Sequence, residues 1–276
     1  MKRFYNRYPL AIVPIKLILY YFLYQFGCTL FARYIIIALN KTFSLSTDNK
    51  LDIYATVIGL VLSGIAMIIH LIHFKYIRLS KKEVSVKTVI LSLPFIFSAL
   101  IASNIINELF ELPDIFEGMF YDMSHNLLGL LSMAIIAPIV EEMLFRGAIE
   151  GFFLKNGVKP IKAIGISALI FGLIHVNPAQ VLFACFLGLV FGWLYYRTGS
   201  IIPGMAGHVL NNSIAAILMT TGTEEDMSKT TQDMIGTTPT YVLLVTSILI
   251  LIAFFIYLRK RLPKSPFNSA KVNLTN

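Results

Sequence analysis

The segment Glu141-Glu142-Met143-Leu144-Phe145-Arg146-Gly147 sets three ionisable side chains inside a stretch otherwise apolar enough to span a bilayer. Charge at that depth needs a protein interior or a watered cavity around it, which marks the segment as a site. Glu142 and Arg146 stand four residues apart, on one helical face and in the order that favours an ion pair, so they can neutralise each other. Glu141 points about 100° away and has no local partner. A carboxylate left in that position is suited to take a proton from a water. Further along, Phe171-Gly172-Leu173-Ile174-His175 puts an aromatic ring and an imidazole on one face, and His208-Val209-Leu210-Asn211-Asn212 aims His208 and Asn212 at one point. Each alone has a bland use, as an interfacial histidine or an interhelical hydrogen bond. Together, a glutamate, a histidine and a His/Asn pair on separate spans can activate a water and stabilise an oxyanion. The same donors, Glu141, His175, His208 and Asn212, could instead hold a divalent metal such as zinc. The His-Glu-x-x-His helix of common zinc proteases is absent.

Such residues must be positioned by membrane helices. The chain of 276 residues is 57% hydrophobic and 14% charged, a balance that excludes an ordinary water-soluble domain. An all-α, polytopic membrane protein is expected, since apolar runs near the roughly 20 residues that a spanning helix needs recur along it. They cover 10–39, 51–74, 86–106, 127–154, 161–176, 181–196, 201–219 and 241–258, giving eight expected spans. Functionally the chain divides into N-terminal helices over 1–120, a motif-bearing core over 121–222, and an outer loop, last helix and tail over 223–276. The stretch after Leu262 reads as a disordered end.

The net charge of +8 does not gather on one amphipathic face, so nucleic acid is not an expected partner. The basic residues fall between apolar runs instead. Lys2, Arg3 and Arg7, then Lys75, Arg78, Lys81, Lys82 and Lys87, then Lys155, Lys159 and Lys162, then Arg197, and last Arg259, Lys260, Arg261 and Lys264 share one side when eight spans alternate. That places both termini in the cytoplasm and the chain in the plasma membrane. The first apolar run is read as an uncleaved span. Cys28 and Cys185 imply neither disulfide nor zinc knuckle, His70 and His73 read as interfacial, and His125 as solvent-exposed.

In their order and spacing, Glu-Glu-x-x-x-Arg, Phe-x-x-x-His and His-x-x-x-Asn resemble the CPBP family. Its members are the CAAX prenyl endopeptidases and Abi-type bacterial relatives linked to bacteriocin processing or self-immunity. The resemblance covers 138–213 and includes Gly147. It implies an eight-helix intramembrane endopeptidase whose site opens toward the cytoplasmic half of the bilayer. By the same resemblance Glu141 and His175 activate the water, His208 and Asn212 stabilise the oxyanion, and Glu142, Arg146 and Phe171 support the site. It leaves glutamic and metal-dependent chemistry both open. The expected partners are the lipid bilayer and a membrane-associated peptide or protein substrate. The alternative is a non-catalytic immunity or scaffold protein of the same fold that binds a peptide or signalling partner. One geometric demand follows: His175 reaches the depth of Glu141 only if its helix is short and ends inside the protein before Asn177-Pro178.

Overall fold

The computed structural model describes residues 9–43, 50–77 and 84–267. Lys2, Arg3, Arg7, Arg78, Lys81 and Lys82 lie outside the described residues. The long apolar runs form α1 (Pro9–Phe43), α2 (Lys50–His73), α3 (Val86–Glu108), α5 (Leu127–Lys155), α7 (Pro178–Thr198) and α11 (Thr237–Arg261). These six helices are long and apolar enough to cross a membrane. The other two expected spans differ. The fifth run becomes α6 (Pro160–Leu173), only 14 residues long, and the seventh becomes α8 (Ile202–Thr221), 20 residues long, where His208, Asn211 and Asn212 interrupt the apolar surface. By length and apolarity six of the eight expected spans qualify among the described residues, and α6 and α8 fall short of that measure.

Three short helices were not foreseen: α4 (Glu117–Ser124), α9 (Glu224–Met227) and α10 (Thr231–Ile235). The sequence signal of α9 and α10 is helix-end chemistry. Thr223 with Asp226 and Thr230 with Asp233 form reciprocal capping boxes that satisfy otherwise orphaned N–H groups. Glu108 accepts from the backbone N–H and hydroxyl of Thr231, so acidic residues of this end organise loops.

Helix α5 is the centre of the bundle. Every residue from Met143 to Glu150 is buried, and Leu144, Phe145 and Ile149 pack with Leu17 of α1 and Met67 and Leu71 of α2. A second core joins Phe95 and Ile96 of α3 to Leu187 and Phe191 of α7 and Leu258 of α11. By contrast, α1 and α11 expose Leu19, Leu23, Phe26, Leu249 and Ile252. In a span, that apolar surface is what lipid covers.

Helix α5 is not uniformly α-helical. Ser132–Ile136 and Met143–Glu150 have π-type bonding around Ala137–Glu142. The i→i+5 pattern is rare and concentrates at functional sites, because it re-aims side chains without breaking the helix. Gly147 lets the chain beyond α2 close onto α5: a Cβ there would stand 3.0 Å from Ile77.

Two expectations need correction. His70 is buried within a ring of Tyr20, Tyr24, Phe74 and Tyr76, with its Nδ1 hydrogen-bonded to the Tyr24 hydroxyl at 2.9 Å. His73 is exposed, as expected of an interfacial residue, and so is His125. The stretch after Leu262, read as disordered, docks as far as Phe267, whose ring meets Tyr195 at 5.5 Å. Arg197 fastens it by donating to the carbonyls of Arg259 (2.9 Å), Leu262 (2.8 Å) and Pro263 (3.3 Å). Hydrogen bonds from a charged donor contribute about 1.5–3 kcal/mol. Arg197→Ala is therefore expected to lower unfolding free energy by roughly that amount, read as an earlier thermal midpoint in detergent, with faster proteolysis at the α11 end.

Candidate active site

Glu141 and Glu142 sit at the junction of the central α-helical turn and the second π segment of α5, near mid-span. One imidazole bridges the angle between them. His208 Nδ1 lies 3.2 Å from Glu142 Oε1, and its Nε2 lies 3.6 Å from Glu141 Oε2. The same Glu142 oxygen is 2.9 Å from Arg146 Nη1. Glu142 is fully buried, Arg146 is 1% exposed and Glu141 8% exposed. The expected division of labour holds in part: Glu142 and Arg146 pair, but Glu141 has a partner from another helix.

The aromatic surroundings explain how the charges persist. Arg146 lies over the Phe171 ring at 4.3 Å and the Phe191 ring at 5.4 Å. Ring faces carry negative potential and attract a guanidinium strongly when water is excluded. Phe171 also meets His175 at 5.0 Å and His208 at 5.9 Å edge-on, while Phe191 stacks on His208 at 5.4 Å. Phe171 is thus the ring common to three motif residues. Gly204, one turn before His208, gives Glu142 room, since a Cβ there would stand 3.0 Å from Glu142 Oε2.

His175 follows the end of α6, and its Nδ1 is 2.8 Å from the Phe171 carbonyl. A carbonyl only accepts, so Nδ1 carries hydrogen in that bond, and in the neutral ring Nε2 is then the acceptor. Asn212 donates one N–H to the Met133 carbonyl in the first π segment (3.1 Å) and accepts from Asn211 (3.0 Å), keeping a second N–H. A cavity of about 420 Å³ brings Glu141, Phe171, His175, His208 and Asn212 together. Its remaining wall is mainly apolar, with Tyr21 and Gln25 of α1, Ser63 and Gly64 of α2, and Phe116 and Phe120 at α4. The shortness of α6 is what lets His175 reach it, as the geometric demand required.

The cavity occupies the half of the bundle that carries α4 and the α6–α7 turn. Lys155, Arg197 and Arg259 to Arg261 end helices in the opposite half. Among the described residues no three His, Cys, Asp or Glu side chains group as a metal site requires. His175 Nδ1 is engaged with a carbonyl, and both His208 nitrogens face carboxylates. The bond from His175 Nδ1 to the Phe171 carbonyl is also the support that a metal-ligating histidine uses while it binds through Nε2.

Sequence reasoning missed Phe191, Gly204, Asn177 and Glu150. Glu150 is fully buried, neither oxygen has a hydrogen-bond partner, and Gly192 packs against it, where a Cβ would stand 2.6 Å from Oε2. Its signal was available, because it continues the four-residue spacing Glu142, Arg146, Glu150. Phe191 and Gly204 carry no such signal. Val176, next to His175, has φ +57°, a conformation that costs a β-branched residue about 1–3 kcal/mol.

Residues 123–214 match the family model described as Rce1-like, type II CAAX prenyl endopeptidase. That segment contains every motif residue, so the resemblance to CPBP intramembrane proteases rests on the pattern of a family as well as on three short motifs. The chain is also similar to the Bacillus subtilis protein named "Putative membrane peptidase YdiL", 30% identical over 91 residues. That alignment covers 33% of this chain and 37% of the relative, so the chain spans little more than a third of the length of the curated relative it matches. No solved structure matches the chain.

Removing one member of a buried ion pair strands the other. Glu142→Ala is expected to destabilise the fold by about 3–5 kcal/mol, visible as a lowered midpoint in detergent unfolding. Glu142→Gln, which keeps shape and one acceptor, should lose less.

Proposed function

We propose that the protein is an intramembrane endopeptidase that hydrolyses a peptide bond of a membrane-associated peptide or protein at Glu141. The observation that carries this reading is a mid-span carboxylate that opens on an otherwise apolar cavity and is met there by His208. Glu141 orients a water and takes its proton, with Nε2 of His175 as the second acceptor. The water oxygen bonds to the scissile carbonyl carbon, and negative charge moves onto the carbonyl oxygen. His208 and the spare N–H of Asn212 donate to that oxygen. Collapse re-forms the carbonyl and breaks the C–N bond, and the proton held by Glu141 or His175 passes to the leaving amine.

The geometry constrains His208 further. An ionised Glu142 cannot donate to Nδ1, so Nδ1 must carry hydrogen; for Nε2 to donate to an oxyanion as well, the ring must be doubly protonated. Glu142 thereby acts through His208, while Arg146 and the rings of Phe171 and Phe191 hold Glu142 in place. No step is routed through a metal.

The substrate is an extended apolar segment, to match the wall of the cavity. Purified protein in liposomes is to be offered a donor–quencher peptide with an apolar stretch, and the same peptide ending in a prenylated Cys-aliphatic-aliphatic-X sequence. Glu141→Gln is expected to reduce cleavage about 10²- to 10⁴-fold, with activity insensitive to chelator. Full activity in Glu141→Gln would end the mechanism, and a cellular phenotype that survives its loss would favour the scaffold or immunity reading.

Orientation belongs to the same proposal. With the basic helix ends and both termini cytoplasmic, the cavity lies toward the outer half of the bilayer, the reverse of the cytoplasmic opening that the family resemblance implies. In a background without Cys28 and Cys185, an impermeant maleimide on intact cells should label Ser228→Cys and spare Lys264→Cys. The opposite pattern would turn the cavity to the cytoplasm.

A further inference from the structure

Helix α6 ends in a way its sequence does not support. Its last turn closes through His175 N–H to the Gly172 carbonyl and Val176 N–H to the Leu173 carbonyl, and Val176 then takes the left-handed conformation. Helices that stop with a left-handed residue use glycine there, because a Cβ is penalised and a branched one more so. Here the position holds valine. Nothing local keeps it there, so tertiary contacts must.

Those contacts converge on Asn177, the next residue, which is fully buried. Its Nδ2 donates to Asp114 Oδ1 at 2.7 Å, and its Oδ1 accepts from the Ile115 N–H at 3.2 Å. The same Asp114 oxygen accepts from the Phe116 N–H at 2.9 Å, and Phe116 lines the cavity. Two more bonds fasten the segments: Asn107 Nδ2 to the Ala179 carbonyl (2.7 Å) and Ala179 N–H to the Pro113 carbonyl (3.3 Å). The end of α3 and the α3–α4 connection therefore clamp the α6–α7 turn at Asn177 and Ala179.

We propose that Asn177, gripped by Asp114 and the Ile115 amide, is a positioning residue that holds the His175–Val176 turn in its left-handed form and so sets the His175 imidazole in the cavity. The proposal rests on the reading of His175 as a base in peptide hydrolysis. Without the clamp, Val176 relaxes to negative φ, the helix end unwinds by a residue, and the His175 backbone rotates away from the position fixed by the Phe171 carbonyl. Substrate binding, which depends on the rest of the cavity wall, is affected less than the chemical step.

The test uses a second-site rescue. Asn177→Ala is expected to lower kcat about 10- to 100-fold with little change in KM, and to raise the rate at which diethyl pyrocarbonate modifies His175, read by mass spectrometry. Asp114→Ala should act in the same direction. Adding Val176→Gly to Asn177→Ala should restore both kcat and the slow modification, because glycine takes the left-handed conformation unaided. A purely structural role for Asn177 would not be repaired by removing the branched side chain next to it. Unchanged kcat and His175 reactivity in Asn177→Ala, or no restoration by Val176→Gly, overturns the proposal. The two readings separate through His175→Ala: if that variant still cleaves, the catalytic reading fails while the clamp is judged on His175 reactivity alone.

Discussion

An ion pair between Glu142 and Arg146, sealed from water in the middle of an apolar helix, is the constraint on which the rest of the structure depends. Each charge would be costly alone, and the pair is favourable only with good geometry and further partners. Those partners come from three other helices. Phe171 of α6 and Phe191 of α7 offer ring faces to the guanidinium, and His208 of α8 offers a ring nitrogen to the carboxylate. Solvating the pair therefore fixes α6, α7 and α8 around α5.

The placing of His208 between the two glutamates is a by-product of that solvation. His208 is drawn to Glu142, and its second nitrogen is then directed at Glu141, one residue earlier and about a quarter turn round the helix. A group recruited to buffer a structural charge thus ends up facing the carboxylate that lines the cavity. Phe171 works in the same double way. Its ring covers Arg146, and its carbonyl fixes which nitrogen of His175 carries hydrogen. The same residue thus serves both the buried ion pair and the cavity.

The two ends of the bundle are built differently. At one, Arg197 gathers the carbonyls at the end of α11 and the following chain docks on α7. At the other, capping boxes and the Asn107, Asp114 and Asn177 contacts organise short helices and turns over the cavity. The cavity is found beside the end rich in short elements.

The sequence by itself determined that the chain is helical and membrane-embedded, because apolar runs of spanning length leave the backbone no other way to satisfy its hydrogen bonds. It also singled out Glu141, His175, His208 and Asn212, which the fold brings to one cavity, since Glu, His and Asn at depth are rare enough to be informative, and the Glu142–Arg146 pair follows from helical spacing alone. What spacing cannot carry is any relation between helices. That His208 answers both glutamates, that Asn212 spends one N–H on Met133, and that Phe191 and Gly204 belong to the site depend on how α5, α7 and α8 rotate against each other. Rotation is settled by packing across the whole bundle. The left-handed Val176 is the sharpest case. Local preference argues against it, and only the tertiary contacts of Asn177 make it the conformation that is adopted.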